Sequence, residues 1–477
     1  MTGPSIPRSK IRDIEHLSPE ERAAVGKAAR GRVPRSSHAA WVPRDDRTDP
    51  IQQLRTQEAT RMTELLPIRY GRMLRSPFAF YRGSAVIMAS DLATTPTSGL
   101  RAQLCGDAHL ANFGIYRSPE RAQVFDINDF DETVPGPWEF DIKRLAASFE
   151  IALRERDVSA RWRRDIVLTA VRAYREAMTE FAAMRNIDVW YARLDVEHLI
   201  TGVATTGTGK AVVKTTRANL EKAASKDSLR ALSKLTHLVD GEPRIASNPP
   251  LVVRAEELLT GEQLERFQPV IEEFLRNYRA SLPEDRRRLL DSYRFADIAR
   301  KVVGVGSVGA RAWIVLMLGR DTCDPLFLQM KEATSSVLEP IVGRSRFRHH
   351  GRRVVEGQRL MQASSDVTLG WYRIRGFDGL PHDYYVRQLW DGKGSLDHTK
   401  MNPVMWAPYA RVCGWTLARA HARSGHRIAI SAYLGRGDTL DRALADFSVA
   451  YANQNERDYE ALKAAAGRDE IAVEYGI

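Results

Sequence analysis

An aspartate and an asparagine stand five positions apart in Gly106-Asp107-Ala108-His109-Leu110-Ala111-Asn112-Phe113-Gly114. A carboxylate at Asp107 can orient an attacking hydroxyl and take its proton. A neutral amide oxygen at Asn112 can ligate a magnesium ion without adding negative charge against a phosphate. Seventeen positions beyond Asn112 lies Asp129, in Val124-Phe125-Asp126-Ile127-Asn128-Asp129-Phe130-Asp131-Glu132. Acidic and amide side chains this dense repel one another unless a cation stands among them. Asp129 is the leading metal candidate, with Asp126 and Asp131 as auxiliary ligands. A solvated acidic turn is the plainer reading. It sits poorly beside the apolar Val124, Phe125, Ile127 and Phe130.

The Asp-x-x-x-x-Asn spacing is that of a kinase catalytic loop, and kinases place their metal aspartate beyond it. The Gly-Asp-x-His-x-x-Asn form resembles aminoglycoside phosphotransferases and choline kinases. That resemblance makes His109 a brace of the loop rather than a reactant. Asp141, in WEFDIKRLAAS, resembles the aspartate that comes after the metal ligand in aminoglycoside kinases and braces the catalytic loop.

Gly304-Val305-Gly306-Ser307-Val308-Gly309 is a G-x-G-x-x-G, a pattern that also marks dinucleotide-binding folds. The next element separates the two. A dinucleotide fold needs a helix there, to aim its N-terminus at pyrophosphate. Here Ala312–Leu318 reads as a strand, and strand, glycine loop, strand lets backbone amides cover nucleotide phosphates. Gly304, Gly306, Ser307 and Gly309 are the expected cofactor contacts. Lys331 ends the next apolar strand, LFLQMKEA, and would touch the α- and β-phosphates while pairing with a glutamate. Glu356 is the first choice of partner, with Glu339 and Glu332 as alternatives. The plainer reading of Lys331 is a surface lysine at a strand end. Arg69, Arg72 and Arg82 flank the SPFAFY stretch. They either face an anionic substrate or phosphate, or brace backbone carbonyls. Thr205–Ala211 imitates a P-loop but lacks its leading glycine and the hydroxyl residue after Lys210.

These parts are out of the usual order, because Lys331 comes after Asp107 instead of preceding it. The helix expected around Tyr409–Ser424 resembles the one that runs into the catalytic loop of aminoglycoside kinases. A cut between that helix and the loop, with the old ends joined, gives the observed order, and exposed loops tolerate such permutation. SPFAFYRG, GDAHLANFG, DINDFDET, KVVGVGSVG, KEA and GQRLMQ together resemble a widespread, uncharacterised bacterial family grouped with the protein-kinase-like superfamily. The resemblance runs over roughly residues 45 to 460. It implies a kinase-like fold and leaves the substrate open. No arginine precedes Asp107, where Leu104-Cys105-Gly106 stands, which speaks against control by activation-loop phosphorylation.

The remaining sequence must position these groups. The expected class is α+β: a protein-kinase-like two-lobe fold, circularly permuted, with extra helices. Residues 1–48 read as a polar basic leader, with a helix start at Ser18-Pro19-Glu20-Glu21. Residues 49–296 read as a helical region carrying the two acidic loops. Within it Asp49-Pro50 opens a helix towards Leu66, and RYGRMLRSPFAFYRG looks turn-rich. Residues 297–400 form a strand-rich ATP-binding region, and 401–477 return to helix. A chain of 477 residues, 43% hydrophobic and 27% charged, suits two or three globular lobes. No apolar run is long enough to span a bilayer, and the first residues carry no secretory signal. Three cysteines without CxxC spacing fit a reducing cytoplasm. The net charge of +11 fits a nucleotide partner or basic solvated faces. Arg344–Arg353 is the densest basic run; a nucleic-acid partner is not expected. The expected activity is ATP- and magnesium-dependent phosphoryl transfer to a small-molecule hydroxyl. AMP transfer to protein and a nucleotide-binding pseudokinase are the alternatives, and the acceptor and oligomeric state stay open.

Overall fold

The computed structural model describes residues 17–197, 228–376, 378–389, 392, 394–395 and 398–477. The P-loop imitation at 205–211 lies outside them. Helices and strands mix along the chain, as the α+β expectation has it. Among the described residues no helix is long and apolar enough to cross a membrane.

Local signals account for the first helices. Ser18 and Glu21 exchange bonds in a capping box that starts Pro19–Arg32. Asp49 caps Pro50–Thr56 by accepting from Gln52 N–H at 2.9 Å. That helix stops at Thr56 instead of continuing to Leu66, and short 3-10 turns fill the gap. The stretch expected to be turn-rich forms two helices, Leu66–Met73 and Pro77–Gly83. Pro67 and Pro77 sit in their first turns, where a missing N–H costs nothing. Ser76 caps the second helix, and Phe78, Phe80 and Tyr81 are its buried payload.

A large helical core stands behind the acidic loops. Helices Glu139–Arg154, Ala160–Ala183, Trp406–Ser424, Arg427–Leu434 and Thr439–Gly467 pack around Trp138, Phe149, Tyr174, Phe181, Trp406 and Leu417. Gly414 lets two of them approach closely, since a Cβ there would stand 2.1 Å from the Ala170 carbonyl oxygen. In front lie two small antiparallel units. Arg101–Leu104 pairs with Val134–Pro137, and Phe113–Arg117 pairs with Gln123–Ile127.

The second body is a six-stranded antiparallel sheet in the order Gly370–Arg375, Pro381–Gln388, Pro325–Glu332, Ala312–Leu318, Arg294–Lys301, Val252–Arg254. Both faces are covered, so its strands read as continuous apolar runs. Val315 and Met317 face helix Phe267–Ala280, while Ile314, Leu316 and Leu318 face the opposite side. Val252–Arg254 is too short to show periodicity and lies within a stretch that reads as helix or loop. Helix His350–Met361 packs against strands Gly370–Arg375 and Pro381–Gln388 and helix Trp406–Ser424, between the two bodies. The basic run enters this helix as a loop in which Arg344, Arg346 and Arg348 are exposed, while Arg353, inside the helix, is buried.

Candidate active site

Strand Arg101–Leu104 ends in Cys105-Gly106, where the backbone turns sharply. Gly106 has φ +86°, and a Cβ there would stand 2.3 Å from the Glu132 carbonyl oxygen. Only glycine meets both demands. Asp141, in the first turn of Glu139–Arg154, accepts from the N–H of Cys105 (2.8 Å) and of Gly106 (3.0 Å). His421 Nε2 lies 3.2 Å from the same carboxylate, and Tyr174 Oη lies 2.9 Å from His421 Nδ1. The loop is thereby tied to three core helices.

Asp107 leaves about one-fifth of its side chain exposed. Arg144 Nε donates to its Oδ1 at 2.8 Å, and Arg144 also lies over the Tyr81 ring and donates to the Tyr81 carbonyl. Burial lowers the guanidinium's tendency to stay charged, but Asp107 and its other neighbours outweigh that and raise the Arg144 pKa. Asn112 Nδ2 donates to the Asp107 carbonyl at 2.7 Å, which leaves the amide oxygen as its acceptor. His109 is buried, with Nε2 3.7 Å from Asp107 Oδ2. Burial, then the charges of Arg82 and Arg144, push its pKa well below the usual imidazole range, so the ring is neutral.

Asn128 N–H donates to the Asn112 carbonyl at 2.8 Å, which stitches the second loop to the first. Asp129 Oδ1 accepts from Asp131 N–H at 3.2 Å, and its side chain is 32% exposed. Lys331 Nζ donates to Asp131 Oδ2 and lies 3.9 Å from Asp129. Tyr385 Oη donates to Asp131 Oδ1 at 2.7 Å. Burial disfavours both charges of the pair, and their mutual attraction wins: Lys331 is raised and Asp131 lowered. Strand alternation puts Gln329, Lys331, Tyr385 and Arg387 towards this loop, and Arg387 reaches the Asn128 carbonyl at 3.0 Å.

The glycine loop connects Arg294–Lys301 to Ala312–Leu318, as strand, loop, strand. Gly304 and Gly309 both have positive φ. A Cβ on Gly306 would come within 2.9 Å of the Arg82 carbonyl oxygen, so the loop tip rests on the segment before the Asp107 loop. Ser307 Oγ lies 3.4 Å from Asp131 Oδ2. One cleft results. Its walls include Asp107, His109, Asn112, Asp129, Asp131 and Glu132 on one side and Gly304, Gly306 and Ser307 on the other. Gln57, Thr60, Arg61 and Arg82 close it.

Several expected residues are elsewhere. Asp126 is not available as a ligand: it is buried, accepts from Arg419 at 2.5 Å, and caps the N–H groups of Ile127 and Ala363. Its position in the strand, three residues before Asp129, turns it inward. Glu356 does not pair with Lys331. It lies 3.8 Å from Arg352 and 4.0 Å from Arg359 on the outer face of its helix. Glu339 lies 3.8 Å from Arg353, and Glu332 bonds His382 and Arg311. The helix presents Arg353 inward instead, to the carbonyls of Asp131, Thr133 and Thr334. Arg69 is fully buried on Gln57 and the Gly83 carbonyl, and burial lowers its pKa to about 9. Arg72 donates to the Gly304 and Ile477 carbonyls. Of the three arginines, Arg82 lines the cleft.

Arg61, Arg144, Arg353, Arg387 and Tyr385 do not stand out in the sequence. Arg144 had a signal, standing one helical turn after Asp141 and therefore on the same face. The others are brought in by long-range packing. Among the described residues no group of three or more His, Cys, Asp or Glu is gathered for a metal ion. Asp129 with the Asn112 oxygen is a smaller set, of the kind magnesium uses when phosphates and water complete its octahedron.

The architecture is thus a helical body and an antiparallel sheet meeting at an acidic, glycine-capped cleft. Residues 61–465 match the family described as "Uncharacterized protein conserved in bacteria (DUF2252)", and the chain belongs to that family. No curated protein and no solved structure matches it.

Proposed function

We propose that this chain is an ATP- and magnesium-dependent phosphotransferase with a kinase-like two-lobe fold in circularly permuted order, acting on a small-molecule hydroxyl. The observation that carries the reading is the single cleft where Asp107, Asn112 and Asp129 oppose Gly304, Gly306 and Ser307. Lys331 approaches the same acidic loop from the neighbouring strand. These groups come from segments some two hundred positions apart, and each is of the type that phosphoryl transfer requires.

The permutation draws support from the junction at Gly425. A Cβ there would stand 2.8 Å from the Arg101 carbonyl oxygen, and Gln103 N–H donates to Ser424 Oγ at 3.1 Å. Helix Trp406–Ser424 therefore ends against the strand that leads into the catalytic loop. An unpermuted chain would run straight on at this point.

In this reading Asp107 orients the acceptor hydroxyl and takes its proton, with Arg144 holding the carboxylate in place. Asn112 and Asp129 would hold magnesium, which when bound would neutralise phosphate charge. Lys331 would exchange Asp131 for nucleotide phosphate, and the glycine loop would exclude water. Asp141 and His109 keep the loop in shape. Most of the catalysis is positioning and charge compensation. The buried free thiols of Cys105 and Cys413 suit a cytoplasmic setting.

Thermal stability with and without Mg-ATP, on wild type and Asp129→Asn, tests the reading. A ligand that binds only the folded chain stabilises it by about 2.7 kcal/mol at a hundredfold excess over Kd. The wild type is expected to shift and the variant to lose the magnesium-dependent part. A folded wild type that does not shift would sink the proposal. Intact mass after incubation with ATP and acceptor mixtures then separates phosphoryl from AMP transfer, and both from a silent scaffold.

A further inference from the structure

The proposed machinery leaves two half-buried cations unexplained. Arg82 lines the cleft, and its Nε is closed off from solvent with no hydrogen-bond partner among the described residues. The carboxylates acting on its charge are Asp107 and Asp129, the proposed base and the proposed metal ligand. Arg61 lines the same cleft, and its Nε is likewise buried and unpartnered. It is fixed by a bond from its guanidinium to the Val308 carbonyl at 2.5 Å, inside the glycine loop. Glu132 and Asp131 are the acids acting on it.

An unpartnered buried donor is costly and calls for an explanation. Arg69 also keeps unpartnered buried nitrogens, but it does not line the cleft, whereas Arg61 and Arg82 do. Arg61 and Arg82 hold such donors in the wall of the cleft. Arg82 shares the cleft wall with Asp107 and Asp129, where a phosphoryl group would pass from a nucleotide held by a metal at Asp129 to a hydroxyl on Asp107.

We propose that Arg82 and Arg61 form a two-arginine clamp on the terminal phosphoryl group of the nucleotide, which makes Arg82 a catalytic residue. This rests on the phosphotransferase reading. In the step, the acceptor oxygen forms a bond to phosphorus as the bond from phosphorus to the bridging oxygen of ADP breaks. The hydroxyl proton goes to Asp107, and ADP keeps the electron pair. The arginines exchange no proton. They supply donors to the non-bridging oxygens, whose charge a guanidinium fork matches in geometry.

Calorimetry with Mg-ADP and with the magnesium complex of β,γ-imido-ATP reads the clamp directly, because the two ligands differ by the group it holds. Wild type is expected to bind the imido nucleotide about tenfold or more tighter than Mg-ADP. Arg82→Gln should lose most of that increment and keep Mg-ADP affinity within about twofold of wild type, on the same scale. Arg82→Lys should recover part of it, and Arg61→Gln should lose a smaller share. Should Arg82→Gln fail to fold, Arg82→Lys and Arg61→Gln carry the same comparison. A full increment in folded variants overturns the clamp and leaves the phosphotransferase reading standing. Absence of binding of either nucleotide to folded wild type overturns both.

Discussion

Lys331 donates its ammonium to the carboxylate of Asp131, which lies 200 positions earlier in the chain. The pair joins the sheet to the helical body where Asp131 lines the cleft. Tyr385 and Ser307 approach the same carboxylate from two further segments. Lys331 is 3% exposed and Asp131 29%, so water screens the pair from one side only. A double-mutant cycle of Lys331→Met and Asp131→Asn is expected to give a coupling of about 1 to 3 kcal/mol in urea unfolding. Coupling near zero would mean that the pair is incidental to holding the two bodies together.

The Asp107→Asn substitution keeps an oxygen for Arg144 and removes the proposed base. Slow turnover of Mg-ATP with water as acceptor should fall by about a hundredfold or more. Mg-ADP affinity should stay unchanged. A loss of nucleotide affinity with turnover per bound nucleotide preserved would move Asp107 from chemistry to binding.

Asp141 satisfies two backbone N–H groups that have no other acceptor in view. Asp141→Ala leaves both buried, at about 1 to 3 kcal/mol each. The urea midpoint should drop, and nucleotide binding should weaken as the loop loosens. Unchanged stability would show that water or a shifted side chain replaces the carboxylate.

The Gly106→Ala exchange asks a residue with a Cβ to hold φ +86° against the Glu132 carbonyl. The conformation alone costs about 1 to 2 kcal/mol, and the contact adds to it. A loss of at least about 2 kcal/mol is expected. Gly99→Ala also has positive φ but meets nothing within 4 Å. It is the control, and it should lose clearly less.

Burial pushes the His38 imidazole down to about 3, with the Lys143 charge adding to the effect. The ordinary value is about 6.5. Between those values the unfolded chain binds a proton that the folded chain refuses. His38 therefore supports full stability above about pH 6.5 and withdraws it as pH falls towards 3, at about 1.4 kcal/mol per unit. Urea titrations at pH 7 and pH 5 should show the decline, and His38→Asn should flatten it. An identical slope in the variant would assign the acid sensitivity to other groups.

Much of the cleft was legible from short stretches of sequence. Asp107 and Asn112 share one loop, and Asp129 sits on the next. Gly304, Gly306 and Ser307 sit on another between two β-branched strands. The residue types required for these roles are few, and they occur within a handful of positions. Cap and strand signals were equally local, from Ser18 with Glu21 to the continuous apolar run of Ala312–Leu318. Where two local signals competed, the sequence misled: RYGRMLRSPFAFYRG carries glycine and proline, yet Pro77 starts a helix and its aromatics need burial.

Partnership was decided only by tertiary packing. Asp126 and Asp129 look alike in sequence, but strand direction turns one to Arg419 and leaves the other at the cleft. Glu356 and Arg353 share a helix, and the helix's rotation turns Arg353 inward and leaves Glu356 outside. Arg69 and Arg82 differ only in what lies opposite them after folding. Residue type and spacing are properties of the chain alone and can be read along it. Which charge meets which depends on contacts across hundreds of positions, where burial removes water and one neighbour outweighs all others.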